Sequence, residues 1–362
     1  MLKKRNTIIY IPYNVKGEKV LEYTVNMIKI LEKRYDVVGE LAEMWDIFSM
    51  INTKAVFLNW MEERLDREIK LKLIMYKAMG AKIIWVFHNR FPHEASKGSR
   101  YVINNMRWLA DKADCIILHS RSSVRYIPDY MRNRHKSVYV PHIIYHEGVS
   151  RSHQDQLRDK YGINKKDFVF AMFGGIRRYK GYEKGIMAFD RLDIDDAKLV
   201  LAGWGTDVGY AKYLRDLSAH NESIILDLRY IPGITLNALI GISDVIVLPY
   251  TNKSSMNSGV MIQAFSNGKT VITPDICMAR DFTGQGFFYG YKTDLEKAML
   301  RAYKNGKEIN KEMGKKACEY VHKYHNEAIV ENALFSILES ENKKPCPFIR
   351  SGRRKELEEK QE

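Results

Sequence analysis

Three short stretches of this chain gather residue types that do chemistry. The first is His88-Asn89-Arg90-Phe91-Pro92-His93-Glu94, directly after the apolar run Ala81 to Phe87. Two imidazoles and a carboxylate on one loop suit proton transfer or contact with a hydroxylated substrate. Hydrogen bonding within a structural turn would use the same residues. A zinc site is a poor match, since a helical HExxH sets its histidines one turn apart on one face. The second stretch is Gly174-Gly175-Ile176-Arg177-Arg178-Tyr179-Lys180-Gly181. Its glycines let the backbone approach a ligand, and its cations offer planar forks and a point charge, shapes that suit a diphosphate. A solvated basic turn would read alike; a Walker loop would need Lys-Ser/Thr after its second glycine. The third is Asn257-Ser258-Gly259, where a helical pattern begins. Ser258 can cap that helix, Gly259 admits a close ligand, and the helix N-terminus suits an anion. A plain capped helix in a βαβ unit gives the same pattern.

The elements around these stretches alternate. Ile8 to Tyr13, Tyr35 to Leu41, Ala55 to Trp60, Ala81 to Phe87, Cys115 to His119 and Val138 to Val140 read as strands. Helical periods lie between them, over Lys19 to Arg34, Glu62 to Met79, Ser99 to Ala110 and Ser120 to Arg132. The polar run Glu147 to Gln156 reads as a linker. A second series follows, with strands Phe168 to Phe173, Lys198 to Ala202, Ile224 to Leu228, Val245 to Leu248 and Thr270 to Thr273. Asp275 to Gly286 reads as a loop; Asp294 to Asn305, Lys311 to Tyr324 and Glu327 to Ser340 read as helices. In parallel sheets ligands sit beyond the carboxyl ends of the strands, where all three stretches fall. The opening strand and helix have no GxGxxG between them, which argues against a dinucleotide at this end.

At 362 residues the chain is long enough for two domains, and its composition is that of a soluble globular protein. The apolar N-terminal run is too short for a signal peptide, and four cysteines without metal spacing suggest reduced thiols in the cytoplasm. A net charge of +14 calls for an acidic partner. Nine Lys/Arg against three Asp lie between Lys97 and Lys136, interspersed with Tyr101, Trp108 and Tyr126; six Lys/Arg and no acid lie between Lys343 and Lys355. Basic residues beside aromatics fit an anionic membrane surface. No helix-turn-helix, zinc-finger or RNA-binding signature accompanies the charge, so nucleic acid is not expected.

The segment Asp244 to Pro274 resembles the nucleotide-sugar-binding half of GT-B glycosyltransferases, closest to the family-4-type (group 1) enzymes of bacterial surface polysaccharide synthesis. It has their order of aspartate, apolar strand ending in Pro, loop, Gly-opened helix and Val-Ile strand. The common family pattern sets two glutamates eight apart here; this chain has Ser255 and Gln263. The Gly174-to-Gly181 stretch resembles the family phrase whose Arg and Lys-Gly grip the donor diphosphate. Gly175 occupies the usual arginine position, so Lys180 is the firmer match and either Arg177 or Arg178 would substitute. Gly203-Trp204-Gly205 resembles the Ala-Gly-x-Gly turn, and Tyr230-Ile231 falls where the fold flanks the base.

That resemblance implies an α/β fold of two Rossmann-like domains facing across a cleft, metal-independent and without cofactor. Residues 1–148 would bind the acceptor and 149–325 a UDP- or GDP-sugar. Residues 326–342 would brace the first domain, and 343–362 would form a tail. The donor set would be Gly174, Gly175, Arg177, Arg178, Lys180, Gly203, Tyr230, Ile231, Asn257, Ser258, Gly259 and Gln263. His88, with His93 and Glu94, would meet the sugar or take the acceptor's proton. Retention of configuration is favoured, with inversion by Glu94 open. The acceptor would be a saccharide or polyprenyl-linked saccharide, and the enzyme cytoplasmic or peripheral on the membrane's inner face. The rivals are an epimerase of nucleotide sugars, which would act without acceptor, and a non-catalytic basic adaptor.

Overall fold

Short runs of β-branched and aromatic residues, apolar on both faces, form parallel strands buried between helices. The computed structural model describes residues 5–13, 22–89, 99–126, 136–145, 150–251 and 256–340, and divides the chain into two units, Met1–Ile143 with Glu327–Glu362, and Ile144–Asn326. In the first unit the order is β1 (Thr7–Ile11), α1 (Glu22–Glu32), β2 (Asp36–Val38), α2 (Ile47–Asn52), β3 (Thr53–Asn59) and α3 (Arg67–Ala78). It continues with β4 (Lys82–Val86), α4 (Ser99–Lys112), β5 (Cys115–Leu118), a 3-10 turn over Arg121–Tyr126 and β6 (Ser137–Tyr139). The sheet order is β2-β1-β3-β4-β5-β6, all parallel. The order reverses at β1, so the crevice beside β1 and β3 is the natural ligand site of this sheet.

The second unit runs α5 (Arg151–Tyr161), β7 (Phe168–Phe173), α6 (Tyr182–Asp190), β8 (Ala197–Ala202), α7 (Val208–Ser218), β9 (Ile224–Asp227) and α8 (Gly233–Ile242). It closes with β10 (Val245–Val247), α9 (Gly259–Ser266), β11 (Thr270–Pro274), α10 (Cys277–Asp281), β12 (Tyr289–Tyr291) and α11 (Leu295–Tyr324). Its parallel order, β12-β11-β10-β7-β8-β9, reverses between β7 and β10. The two loops after these strands carry the second and third of the chemically marked stretches.

The last described helix, α12 (Glu327–Glu339), belongs to the first unit, where Val330, Leu334, Ile337 and Leu338 are buried in the core beside α1. The Lys82 ammonium donates to the carbonyls of Ile337 (2.8 Å) and Leu338 (3.3 Å), capping the negative end of the helix.

Several elements differ from the sequence reading. The expected linker is helical from Arg151, because the Ser150 side chain accepts from the His153 amide and starts α5 early. The helix expected from Ser120 is a 3-10 turn over its described part. Cys277–Asp281 is helical where a loop was expected. The break expected between the helices Asp294 to Asn305 and Lys311 to Tyr324 is present within Leu295–Tyr324, at Gly306, whose φ of 73° is non-helical. There the Asn310 amide donates to the carbonyls of Ala302 and Gly306, both at 2.7 Å, which satisfies acceptors the kink releases.

Candidate functional site

In the second unit the loops after β7, β8 and β9 are stitched by backbone hydrogen bonds. Gly174 N donates to Ala202 O (3.2 Å), Ile176 N to Trp204 O (2.8 Å) and Gly203 N to Asp227 O (3.1 Å). Two glycines make this possible. Gly174 and Gly203 have φ of +110° and +153°, and a Cβ on Gly203 would lie 1.9 Å from the Gly174 carbonyl oxygen. The Tyr182 hydroxyl, buried beneath, donates to Phe173 O at 3.1 Å and holds the turn from below.

This turn brings Lys180 to the strand end. A Cβ on Gly174 would meet the Lys180 Nζ at 2.8 Å and the Val260 side chain, at the start of α9, at 3.5 Å. The loop after β10 is tied to the same place, for Thr251 N donates to Tyr179 O at 2.9 Å. Desolvation, aided by the Arg177 charge, pushes the Lys180 ammonium down to about 8. Among the described residues neither the Lys180 ammonium nor the Arg177 guanidinium has a hydrogen-bonding or ion-pair partner. Two cations side by side, one of them desolvated, form a site that gains by binding an anion.

Arg178, by contrast, is engaged. Its Nε lies 2.9 Å from the Asp207 carboxylate and its guanidinium 4.9 Å above the Tyr210 ring. Of the two arginines left open by the sequence, Arg177 is the one with charge to spare. Arg177→Ala is expected to weaken donor affinity about tenfold, and Arg178→Ala only severalfold, as judged by KM for the donor.

Ser258 is buried and spent on structure: its Oγ accepts from Met261 N (3.1 Å) and pairs with the Tyr250 hydroxyl (2.8 Å), while its N–H donates to Met278 Sδ (3.4 Å). The amides of Gly259 and Val260 have no acceptor among the described residues, which leaves them as the donors of the α9 terminus. Asn257 is half-buried just before the cap. Gln263 lies one turn into α9, half-buried, its side-chain amide without a hydrogen-bond partner among the described residues. Gly175 is exposed beside Arg177. Tyr230 is exposed, whereas Ile231 packs against the core.

A second cluster forms at the carboxyl ends of the strands in the first unit. His88 follows β4, His119 follows β5, His142 lies beyond β6, and all three are buried. The Tyr23 ring stands between them, with centroids 5.4, 5.3 and 5.2 Å from those of His88, His119 and His142. His119 Nδ1 donates to Val140 O (2.9 Å), so its Nε2 accepts from the Tyr23 hydroxyl (2.7 Å). Burial lowers the His142 imidazole to about 4, keeping it neutral, and its Nδ1 donates to Ile143 O at 3.0 Å.

His88 has its own fixed geometry. The Asn59 amide nitrogen donates to Ile11 O (3.3 Å), which turns Oδ1 toward His88 Nε2 at 3.2 Å. In the neutral ring Nε2 therefore carries the proton and Nδ1 is the basic nitrogen. Trp60 stacks on His88 at 4.1 Å and 14°, at the cost of a left-handed φ of 49° that a bulky side chain rarely adopts. His93 and Glu94 lie outside the described residues. Tyr23, Asn59 and His142 were missed in the sequence. Asn59 and His142 carried a signal, a polar residue where a strand stops, but Tyr23 on α1 carried none.

Residues 153–320 match the family model described as glycosyl transferases group 1. In fold the chain is similar to HepE from Anabaena, solved in complex with UDP-glucose (TM-score 0.71, 12% identity, 91% of this chain and 99% of that one). It is also similar to a glycosyltransferase from Rickettsia africae (TM-score 0.68, 13% identity, 93% and 98%) and to sucrose-phosphate synthase from Thermosynechococcus elongatus (TM-score 0.69, 13% identity, 92% and 98%). None of the curated proteins matches the sequence. The strand ends that carry Gly174, Lys180 and Gly259 thus fall within the residues that match the glycosyl transferases group 1 model, on an α/β fold of two parallel sheets similar to that of these GT-B structures.

Proposed function

We propose that this protein transfers a sugar from a nucleoside-diphosphate sugar to an acceptor hydroxyl. The observation that carries the reading is the approach of two uncompensated cations, Lys180 and Arg177, and the open amides of α9 to the same strand end. When the anomeric bond breaks, negative charge grows on the leaving diphosphate. Preorganised cations and amides stabilise that charge more than they stabilise the bound donor, which lowers the barrier. These groups do the work a divalent cation would otherwise do. Gln263, on the same helix, would meet the donor's ribose or sugar hydroxyls. His88, through Nδ1, would accept a hydrogen bond from the sugar or the acceptor's proton. The family resemblance favours retention of configuration. The acceptor we assign is a saccharide or polyprenyl-linked saccharide of a surface polysaccharide.

The test is thermal unfolding with UDP, GDP and, as a control, uridine. A diphosphate in hundredfold excess over its Kd adds about 2.7 kcal/mol to stability. UDP is the first choice, since HepE was solved with UDP-glucose. A selective shift with one diphosphate, and turnover unchanged in EDTA, are the expected results. No shift with either diphosphate would remove the reading.

A further inference from the structure

Among the described residues two non-glycine residues have a positive φ, Trp60 at 49° and Asp193 at 48°. Asp193 lies in the connection from α6 to β8, where a short polar side chain tolerates the left-handed region. Trp60 is another matter. It follows the last residue of β3, and a chain that only had to turn there would carry Gly or Asn. A bulky residue held in this conformation marks a place where the surrounding structure gains more than the backbone loses. The gain shows in one contact: the indole lies 4.1 Å from the His88 ring at 14°, nearly parallel to it. Tyr23 meets the same indole at 5.9 Å and 74°.

We propose that Trp60 is a positioning residue for the transfer step, its indole face stabilising the imidazolium that His88 forms on taking the acceptor's proton. The role rests on the assignment of His88 to that step. There the acceptor O–H bond breaks and its proton passes to His88 Nδ1. The electron pair left on the oxygen forms the bond to the anomeric carbon, and the pair of the broken anomeric bond leaves with the diphosphate. The ring thus gains a positive charge in a buried place, where water solvates it poorly. A tryptophan face is the strongest aromatic partner for a cation, so it favours imidazolium over imidazole. The titratable groups that the described elements bring to this cluster are uncharged at neutral pH. Tyr23 of α1 keeps its proton and donates it to His119 Nε2, and His119 after β5 donates from Nδ1 to Val140 O. Burial holds His142 beyond β6 neutral, at about 4, and desolvation raises the Tyr10 phenol of β1, which neighbours Tyr23 and Asn59. Asn59 Oδ1 accepts from His88 Nε2 in both protonation states, so the charge enters at Nδ1. Of the printed ring contacts to His88, the Trp60 face is the one laid flat on it.

The test is an NMR titration of the full chain without nucleotide, its histidines labelled at Cε1 and the His88 signal identified by its loss in His88→Gln. Trp60→Leu, which keeps an apolar side chain, is expected to lower the His88 midpoint by about one pH unit, a roughly tenfold loss of imidazolium stability. Trp60→Phe keeps a ring with a weaker face and should lower it by about half as much. Should Trp60→Leu fail to unfold cooperatively, Trp60→Phe carries the same comparison. In turnover, the rise of kcat with pH should move to lower pH by the same amounts, because a weaker base sheds its proton at lower pH. The plateau should fall about tenfold in Trp60→Leu and about threefold in Trp60→Phe. KM for the donor should stay within about twofold, since the donor is bound by other groups. An unmoved midpoint would overturn the proposal, and so would a moved midpoint with unchanged kcat. The absence of any thermal shift with UDP or GDP in the unaltered protein would instead remove the donor reading, and the titration is read without either nucleotide.

Discussion

Lys180→Ala is expected to lower turnover by about one to two orders of magnitude, to abolish stabilisation by UDP or GDP, and to leave the unliganded fold intact. Removing one preorganised donor from developing negative charge costs on that scale. The fold survives because the ammonium has no partner among the described residues to lose. The depressed value of about 8 adds a pH signature. At pH 7 the free protein holds Lys180 roughly ten to one protonated, and at pH 9 that ratio is inverted. Donor kcat/KM should therefore fall as pH rises through 8, while kcat should fall at higher pH, since a bound diphosphate restores the cation. Lys180→Arg should remove this decline, because a guanidinium stays charged. For stability the sign is opposite. Between about 8 and the ordinary lysine value the folded state binds fewer protons than the unfolded chain, so this group makes the unliganded protein more stable as pH rises. Unchanged turnover in Lys180→Ala would remove the diphosphate assignment.

His88→Ala is expected to reduce kcat by about a hundredfold while the thermal shift with UDP or GDP persists. The separation follows from the two clusters. The nucleoside diphosphate is assigned to groups of the second unit, and His88 belongs to the first. Asn59→Ala should show a milder form of the same defect. It releases the hydrogen bond that sets which His88 nitrogen is protonated, leaving the imidazole itself in place. A changed pH profile of kcat would separate that positioning role from plain destabilisation. If His88→Ala lost diphosphate binding and turnover in parallel, the imidazole would belong to donor binding instead of the transfer step. Full activity in His88→Ala would leave the first cluster without a chemical role.

Local patterns in the chain announced most of the framework. Apolar runs ending in Gly or Pro marked β7, β8 and β10, and Ser258 before an apolar helical period marked α9, because strand burial and helix capping depend on neighbours in sequence. They failed where local cues were weak. The helix over Val208–Ser218 and the short α2 went unread, and α2 in particular has only six residues and exposes its apolar side chains. The helix end at Gly306 was legible, because glycine takes the positive φ that stops a helix, and Asn310, four residues on, bonds the carbonyls freed there.

For the candidate sites the division is similar. Residue chemistry alone offered the Gly174-to-Gly181 turn, Gly259 and His88 as candidates, although a basic turn, a capped helix and a hydrogen-bonded loop would use the same residue types. Which arginine stays uncommitted was decided by Asp207, distant in sequence and brought to Arg178 only by the sheet. The desolvation of Lys180 needed the loops after β7 and β10 to meet, and the histidine cluster needed Tyr23 on a helix far from all three rings. Sequence determined which groups the chain can offer at each strand end. Tertiary structure decided which of them are left with charge, because pairing and burial depend on distances that spacing along the chain does not encode.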